Sequence, residues 1–190
     1  MKKPNDYNDT QGISSWRELP PDGYVCAIMG IAEQTSSSGR PMIKVALDIA
    51  EGEYQGYFSD LFESRKSRAK QGDVVKWSND GTKYIMIFTN EDKCSRDFKS
   101  FCEALEASDV KVWSEENDFL INNCKRKKVG VIFGREESEW NGNRSWHTKP
   151  KWFTTVENIH EKNYSVPEDK PIPEETFGAF VATDEDIPFM

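Results

Sequence analysis

Cations and aromatic side chains alternate through one stretch of the 190-residue chain, residues 125–153. The candidate nucleic-acid contacts in this stretch are Lys125, Arg126, Lys127, Lys128, Arg135, Trp140, Arg144, Trp146, Lys149, Lys151, Trp152 and Phe153. An unpaired base offers its flat faces to aromatic rings, while the phosphates beside it attract cations. Each stacked base contributes about 1–3 kcal/mol with little dependence on sequence. The stretch therefore predicts a groove for single-stranded nucleic acid.

Each of these residues also has a structural interpretation. Trp146 and Trp152 have the same parity along a strand, so both can face a core, and Pro150 between them can shift the register. Residues 125–128 can be a solvated entrance to a strand. Trp140 lies in a charged segment, residues 135–143, that we interpret as a loop with an Asn141-Gly142 turn, so an exposed ring there is the best candidate for stacking. We expect Trp77 and Tyr84 to belong to the core.

A second stretch combines acidic and apolar residues. Its members are Asp184, Glu185, Asp186, Ile187, Pro188 and Phe189. Carboxylates beside an apolar tip fit a partner that has a basic rim around an apolar pocket. The alternative is a solvated acidic segment with no receiver. We predict that this tip docks onto a partner protein.

The net charge of −8 is distributed unevenly. Residues 158–190 contain eight acidic and two basic residues and carry −6, which leaves −2 for the rest of the chain. A nearly neutral body can still present a basic surface, because the local field rather than the total charge steers a polyanion. The overall acidity therefore does not exclude a nucleic-acid partner.

Motifs for catalysis and cofactor binding are absent from the sequence. It has no phosphate-binding loop, no dinucleotide-binding glycine pattern, no nucleophile elbow and no His-x-x-x-His pair. The four cysteines have no metal-ligand spacing, and the chain has only two histidines. We expect a protein without catalytic activity, cofactor or metal. The sequence shows no secretory signal or membrane span, and reduced thiols favour the cytoplasm.

Hydrophobic patterning predicts a mainly β protein. Residues 23–32 form a continuous apolar run, and residues 42–50 alternate as a half-buried strand does, which together predict an antiparallel hairpin. The remaining strand candidates are 74–77 and 83–88, which are joined by a turn at 79–81, then 127–134 and 144–156. Because Pro150 cannot donate a ladder hydrogen bond, the last strand is an edge or contains a bulge.

Two helices are predicted between these strands. Phe98, Phe101, Cys102 and Leu105 recur at i, i+3, i+4 and i+7, which predicts an amphipathic helix over residues 95–107. A shorter helix is predicted over residues 60–70.

Composition divides the chain into three parts. Residues 1–21 are predicted to be a flexible arm, with Trp16 and Leu19 as anchors, and 22–158 a nucleic-acid-binding domain. Residues 159–190 are rich in Pro and acidic residues, which predicts a disordered tail that carries the docking tip.

With residues 51–58 included in a bent strand region and the material near 60–83 taken as additional, the order is strand, strand, bent strand region, helix, strand and strand. Five strands with one helix between the third and fourth is the element order of the OB-fold, a Greek-key barrel. Its usual groove lies on strands 2 and 3 and is bordered by the loops between strands 1 and 2 and between strands 4 and 5. That geometry adds Arg40 and Lys44 to the candidate site. Another small α+β sheet remains an alternative.

Together these features resemble bacterial and phage single-stranded DNA-binding proteins. The likeness rests on residues 48–58, residues 129–137 and the tip at 184–189. In that family Phe usually ends the tip, whereas Met190 follows it here. The resemblance implies non-catalytic coating of single strands during phage-type replication or recombination in a bacterial host cell. It also implies that the tip recruits replication or recombination proteins.

Two other functions fit the same sequence. One is a protein-interaction adaptor with an OB-like barrel, and the other is a small nuclease or annealing factor of the same phage module. The sequence leaves open the oligomeric state, including a homo-oligomer, and the choice between DNA and RNA.

Overall fold

The computed structural model describes residues 2–3 and 18–173. Within them the chain forms five strands and three α-helices. The strands are β1 (Gly23–Thr35), β2 (Pro41–Ile49), β3 (Thr82–Met86), β4 (Lys128–Trp140) and β5 (Asn143–Thr154). The helices are α1 (Tyr57–Arg68), α2 (Arg96–Glu106) and α3 (Val156–His160).

All five strands form one antiparallel sheet in the order β3-β2-β1-β4-β5. Strand β1 is central, and β3 and β5 are the two edges. The predictions of a mainly β fold, of five strands and of a helix between the third and fourth strands are confirmed. The prediction of an edge or a bulge at Pro150 is also confirmed, because β5 is an edge strand and its register shifts there.

Strand β2 shows how the sequence sets the core. Ile43, Val45, Leu47 and Ile49 alternate along it and are all buried. Full burial of such side chains stabilises the fold by about 1.5–3 kcal/mol each. We call this side of the sheet the core face and the opposite side the outer face.

Helix α2 covers the core face, as its sequence predicts. Ser95 caps its N-terminus by accepting a hydrogen bond from the amide of Phe98 at 3.1 Å. The predicted stripe of Phe98, Phe101, Cys102 and Leu105 is buried. Capping and amphipathic spacing therefore specify this helix locally.

Helix α1 starts earlier than the predicted 60–70 and is tied to β2. The carboxylate of Asp48 accepts hydrogen bonds from the amide of Phe58 at 2.9 Å and from the hydroxyl of Ser59. The predicted strand at 74–77 is wrong, because these residues pair with no other strand. Trp77 instead donates its indole hydrogen bond to the carbonyl of Leu47 at 3.2 Å, which anchors the segment without a ladder.

Residues 161–173, which we call the strap, run back along β4. The hydroxyl of Tyr164 donates to Asp22 at 2.7 Å, and Lys170 forms a parallel bridge with Glu136. The expectation of a disordered tail from residue 159 onward therefore differs from the structure up to Pro173.

Glycines make room for the strap and for α3 on the outer face. A Cβ atom on Gly134 would collide with Pro167, and one on Gly130 would lie 2.8 Å from Ile159. Glycine inside a strand often marks such a close approach. Ile132, which lies between these glycines on the same face, is fully buried.

The predicted N-terminal arm lies mostly outside the described residues, and so does Trp16. Leu19 is described and is buried in the core, as expected. The hydroxyl of Tyr24 donates to the carbonyl of Pro20 at 2.9 Å and holds the end of the arm against β1.

Candidate nucleic-acid interface

Strands β4 and β5 form a long hairpin that carries most of the predicted aromatic residues. The pairing continues to Trp140 and Asn143, so the predicted loop over 135–143 is wrong and only its turn remains. Asn141 and Gly142 both have positive φ, 50° and 77°, as a tight two-residue hairpin turn favours. Trp140 directly precedes this turn and is 79% exposed.

A bulge next to Pro150 decides where the following aromatic residues point. Phe133 pairs with Pro150 and Ile132 pairs with Trp152, so Lys151 is the extra residue. The shift turns Trp152 to the outer face, where it is 38% exposed. Phe153 turns to the core face and packs on Phe101, with ring centroids 4.8 Å apart. The prediction that Phe153 contacts nucleic acid is therefore wrong, because only 4% of it is exposed.

Two of the predicted lysines share one carboxylate. The Lys149 ammonium lies 2.6 Å from one oxygen of Glu136, and the Lys151 ammonium binds the other oxygen. Burial alone would raise the pKa of Glu136, but the hydrogen bonds and charges of the two lysines outweigh it and lower the pKa to about 2. Glu136 is thus ionised throughout the neutral range, and the cluster carries one net positive charge.

Arg135 and Trp146 meet on the other side of the hairpin. The guanidinium carbon of Arg135 lies 5.2 Å from the ring centroid of Trp146, within the range of a cation–π contact. Asp169 of the strap lies 3.7 Å from the same guanidinium. Trp146 keeps 37% of its surface exposed. Arg135 therefore contacts both the ring of Trp146 and a carboxylate of the strap.

Residues 125–127 form an exposed turn that leads into Lys128, the first residue of β4. Two backbone hydrogen bonds fix it, from the amide of Arg126 to the carbonyl of Ile28 at 2.8 Å and from the amide of Ile28 to the carbonyl of Lys127 at 3.0 Å. Arg126 has φ 62°, a conformation that is uncommon for a residue with a side chain. Within the described part of the chain, Lys125, Arg126 and Lys127 form no ion pair, whereas Lys128 binds Glu51 at 2.8 Å.

Among the described residues, Ala32 and Tyr84 are exposed and Lys44 and Ala46 are half-buried on the outer face of β1, β2 and β3, and we call this surface the open face. Register places Ala32, Lys44 and Tyr84 in one row across it and Gly30 and Ala46 in the row before. Tyr84 is 47% exposed, and the Lys44 ammonium lies 5.6 Å from its ring centroid. The expectation that Tyr84 is core is therefore wrong, while Lys44 lies on the face of β2 opposite its buried residues, as the alternation of the strand predicts.

The two edge strands approach each other beside this face. The Lys83 ammonium donates to the carbonyl of Lys151 at 2.6 Å and pairs with Asp97 at 2.8 Å. The residue that follows on each strand, Tyr84 on β3 and Trp152 on β5, has an exposed ring. A second contact joins the same two regions, since His147 lies 3.2 Å from Asp80.

The remaining predicted cations are bound within the protein. Arg40 donates to the side-chain oxygen of Asn90 and, at 3.4 Å, to Ser38. Arg144 pairs with Glu139 at 3.4 Å near the hairpin turn. The partners of Arg40 are uncharged and do not neutralise it. The Arg144 pair is weak because both of its side chains are about half exposed. The predicted docking residues 184–189 lie outside the part of the chain that the structure describes.

The structure thus sorts most of the predicted residues into three groups. Hairpin residues 135–152 form one group, residues 125–128 a second, and Lys44 on the open face the third. Arg40 in the β1–β2 loop and the buried Phe153 belong to none of them. Sequence analysis missed Tyr84 and Glu136. The alternation of Tyr84 with Ile85 was a usable signal for the first, because only one of two adjacent strand residues can face the core.

The search for relatives found no match to any family model and no match among curated proteins.

Within residues 2–3 and 18–173, no group of three or more His, Cys, Asp or Glu residues is arranged to hold a metal ion. Burial raises the pKa of Cys102 to about 12 and that of Cys124 to about 11. These thiols are therefore protonated at neutral pH. None of the described helices is both long enough and apolar enough to cross a membrane.

Proposed function

We propose that this protein binds single-stranded DNA without reading its sequence, as a non-catalytic component of phage-type replication or recombination. One observation carries the proposal: exposed aromatic rings recur beside cations on the sheet and the hairpin. Tyr84 lies under Lys44, Trp146 lies under Arg135, and Trp152 follows Lys151. A ring that is a third or more exposed contributes little to the core, but it offers a stacking platform.

We infer further that the sheet is an opened OB-type barrel. In its support, β3 and β5 are the sheet edges, and Lys83 and Asp80 both reach across to β5. These contacts advance in the same direction along both strands, from Asp80–His147 to Lys83–Lys151, as parallel neighbours would. In an OB-fold the open face is the usual ligand surface.

Charge supports a single strand rather than an apolar partner. The turn at 125–127 presents three cations that no described acidic residue neutralises, and it lies beside the exposed Met29 of β1. Gly30 has no side chain and Ala46 has only a methyl group, so a nucleic-acid strand can closely approach the backbone of the open face at these positions. Affinity for phosphates at such a surface falls steeply as salt rises.

The acidic tip at 184–189 adds a second part to the proposal. Its three carboxylates and its Ile-Pro-Phe segment fit a receiver with a basic rim and an apolar pocket. We propose that this tip recruits replication or recombination proteins while the sheet holds the strand.

The deciding experiment is a titration of intrinsic Trp fluorescence with a dT oligonucleotide and with duplex DNA, each across a range of salt. Single strands should quench the fluorescence strongly, and added salt should reverse it. Tyr84→Ala or Trp152→Ala should each weaken binding by about 1–3 kcal/mol. Val74→Ala is the control, because Val74 is 82% exposed in the α1–β3 connection and belongs to neither the open face nor the β4–β5 hairpin. Equal affinity for duplex and single strands would refute the proposal.

A further inference from the structure

Glu136 lies at the centre of the basic hairpin but has the wrong charge for a phosphate contact. Each of its carboxylate oxygens binds one lysine, Lys149 at 2.6 Å and Lys151 through the other oxygen. The Glu136 and Lys149 side chains are 29% exposed and that of Lys151 is 20% exposed. Solvent therefore reaches the cluster, and so can an external anion.

The fold positions this cluster from both strands. Gly134 pairs with Lys149, which places that lysine beside Glu136 on the outer face. The bulge supplies Lys151, whose side chain runs across Gly134 where a Cβ atom would lie 3.1 Å from it. The carbonyl of Lys151 is held by Lys83 at 2.6 Å, so the backbone at the bulge is fixed.

The chemistry of the cluster matches that of a phosphate site. A carboxylate that bridges two ammonium groups offers two anionic oxygens, as does a phosphodiester through its two non-bridging oxygens. Lysines bind either group as point charges through charge-assisted hydrogen bonds. The neighbouring ring of Trp152 is 38% exposed on the same face, where a base next to that phosphate can stack.

We propose that Lys149 and Lys151 form a subsite for one backbone phosphate of the bound strand, and that Glu136 occupies this subsite when no strand is present. The proposal rests on the proposed function and adds a residue that lowers affinity. A phosphate must replace Glu136 at both lysines, so the exchange of one anion for another gains little. Glu136 thereby keeps binding reversible at a position where two uncompensated lysines would hold the strand tightly.

The test is Glu136→Gln, with affinity for a fluorescent dT oligonucleotide measured by anisotropy at several salt concentrations. Release of both lysines should tighten binding about tenfold at low salt. It should also steepen the dependence of log K on log salt by about 0.7 to 1.4, since one or two more cations then meet phosphates.

The matched control is Glu103→Gln, which makes the same change of charge on α2. Glu103 pairs with Lys99 at 3.2 Å, and both side chains are more than half exposed. Its affinity for the oligonucleotide should stay within about twofold of wild type, because only the total charge changes. Equal tightening by the two variants would refute the subsite.

A second variant keeps the test decisive if Glu136→Gln does not fold. Glu136→Gln combined with Lys149→Gln retains the wild-type net charge and removes the repulsion between two unpaired lysines. Lys151 then has no carboxylate partner in this cluster, so this variant should bind the oligonucleotide at least as tightly as wild type does. Weaker binding would overturn the proposal. If wild type binds duplex as well as single strands, the proposed function fails. If wild type prefers single strands but folded Glu136→Gln does not tighten binding, only the subsite fails.

Discussion

Replacing Glu136 by Gln also tests the electrostatics of the hairpin through stability. The substitution keeps the size of the side chain and removes its charge, leaving Lys149 and Lys151 close together without a carboxylate. We expect the variant to be less stable than wild type at neutral pH, by an amount that depends on pH in a defined way.

The magnitude follows from the lowered pKa of Glu136, which falls from 4.5 to about 2 on folding. A lowered pKa means that the ionised carboxylate contributes stability in full above pH 4.5 and loses it as the pH falls through about 2. The shift corresponds to at most about 3–4 kcal/mol. Water screens a cluster that is 29% exposed, which reduces the expected contribution to about 1–2 kcal/mol.

Urea unfolding of both proteins at a series of pH values between 7 and 2 measures this contribution, because ΔG falls linearly with denaturant. Other carboxylates titrate in both proteins, so the difference in the free energy of unfolding isolates Glu136. The difference should be about 1–2 kcal/mol above pH 5 and should shrink toward zero near pH 2. A difference that stays constant down to pH 2 would show that the loss arises from packing and not from charge.

Three further substitutions test how the fold supports the site. Phe153→Ala should lower the free energy of unfolding by about 3–4 kcal/mol, measured by urea unfolding, and leave the affinity of the folded protein for single strands unchanged. Asp48→Ala leaves the amide of Phe58 without its acceptor and should cost about 1–3 kcal/mol in the same assay. Gly134→Ala places a methyl group against Pro167 and should speed hydrogen exchange at the amide of Lys170, where unchanged exchange would contradict the packing of the strap.

Strand and helix periodicity predicted the framework because it depends on local alternation. Strand β2 places large aliphatic residues at every second position from Ile43 to Ile49, and α2 repeats its buried residues at helical spacing. The Asn141-Gly142 turn was equally predictable from the sequence, since both residues tolerate positive φ. These features need no information about distant parts of the chain.

The candidate site was harder to predict because it depends on tertiary contacts. Lys83 shares the core face with Ile85, contrary to its polarity, because its ammonium group is satisfied by Asp97 and by a carbonyl of β5. Tyr84 is then turned to the outer face. Polarity alone predicts the opposite orientation for these two residues, with Lys83 toward solvent and the ring of Tyr84 in the core.

The strap was missed for a related reason. Its sequence is rich in proline and acidic residues, a composition typical of disordered segments. What holds it is the shape of β4, where Gly130 and Gly134 remove the side chains that would block it. The sequence of the strap alone does not predict this packing, because the glycines that allow it lie far away along the chain.

The bulge at Lys151 shows that the core and the proposed binding surface depend on the same register. Without the extra residue, Trp152 would share the core face with Pro150, and Phe153 would point outward. With it, Phe153 fills the core against Phe101, and the larger indole ring becomes available to a ligand. Pro150 favours this arrangement because it has no amide hydrogen to give to the ladder. The residue that interrupts the strand therefore also selects which of two adjacent aromatic side chains faces solvent.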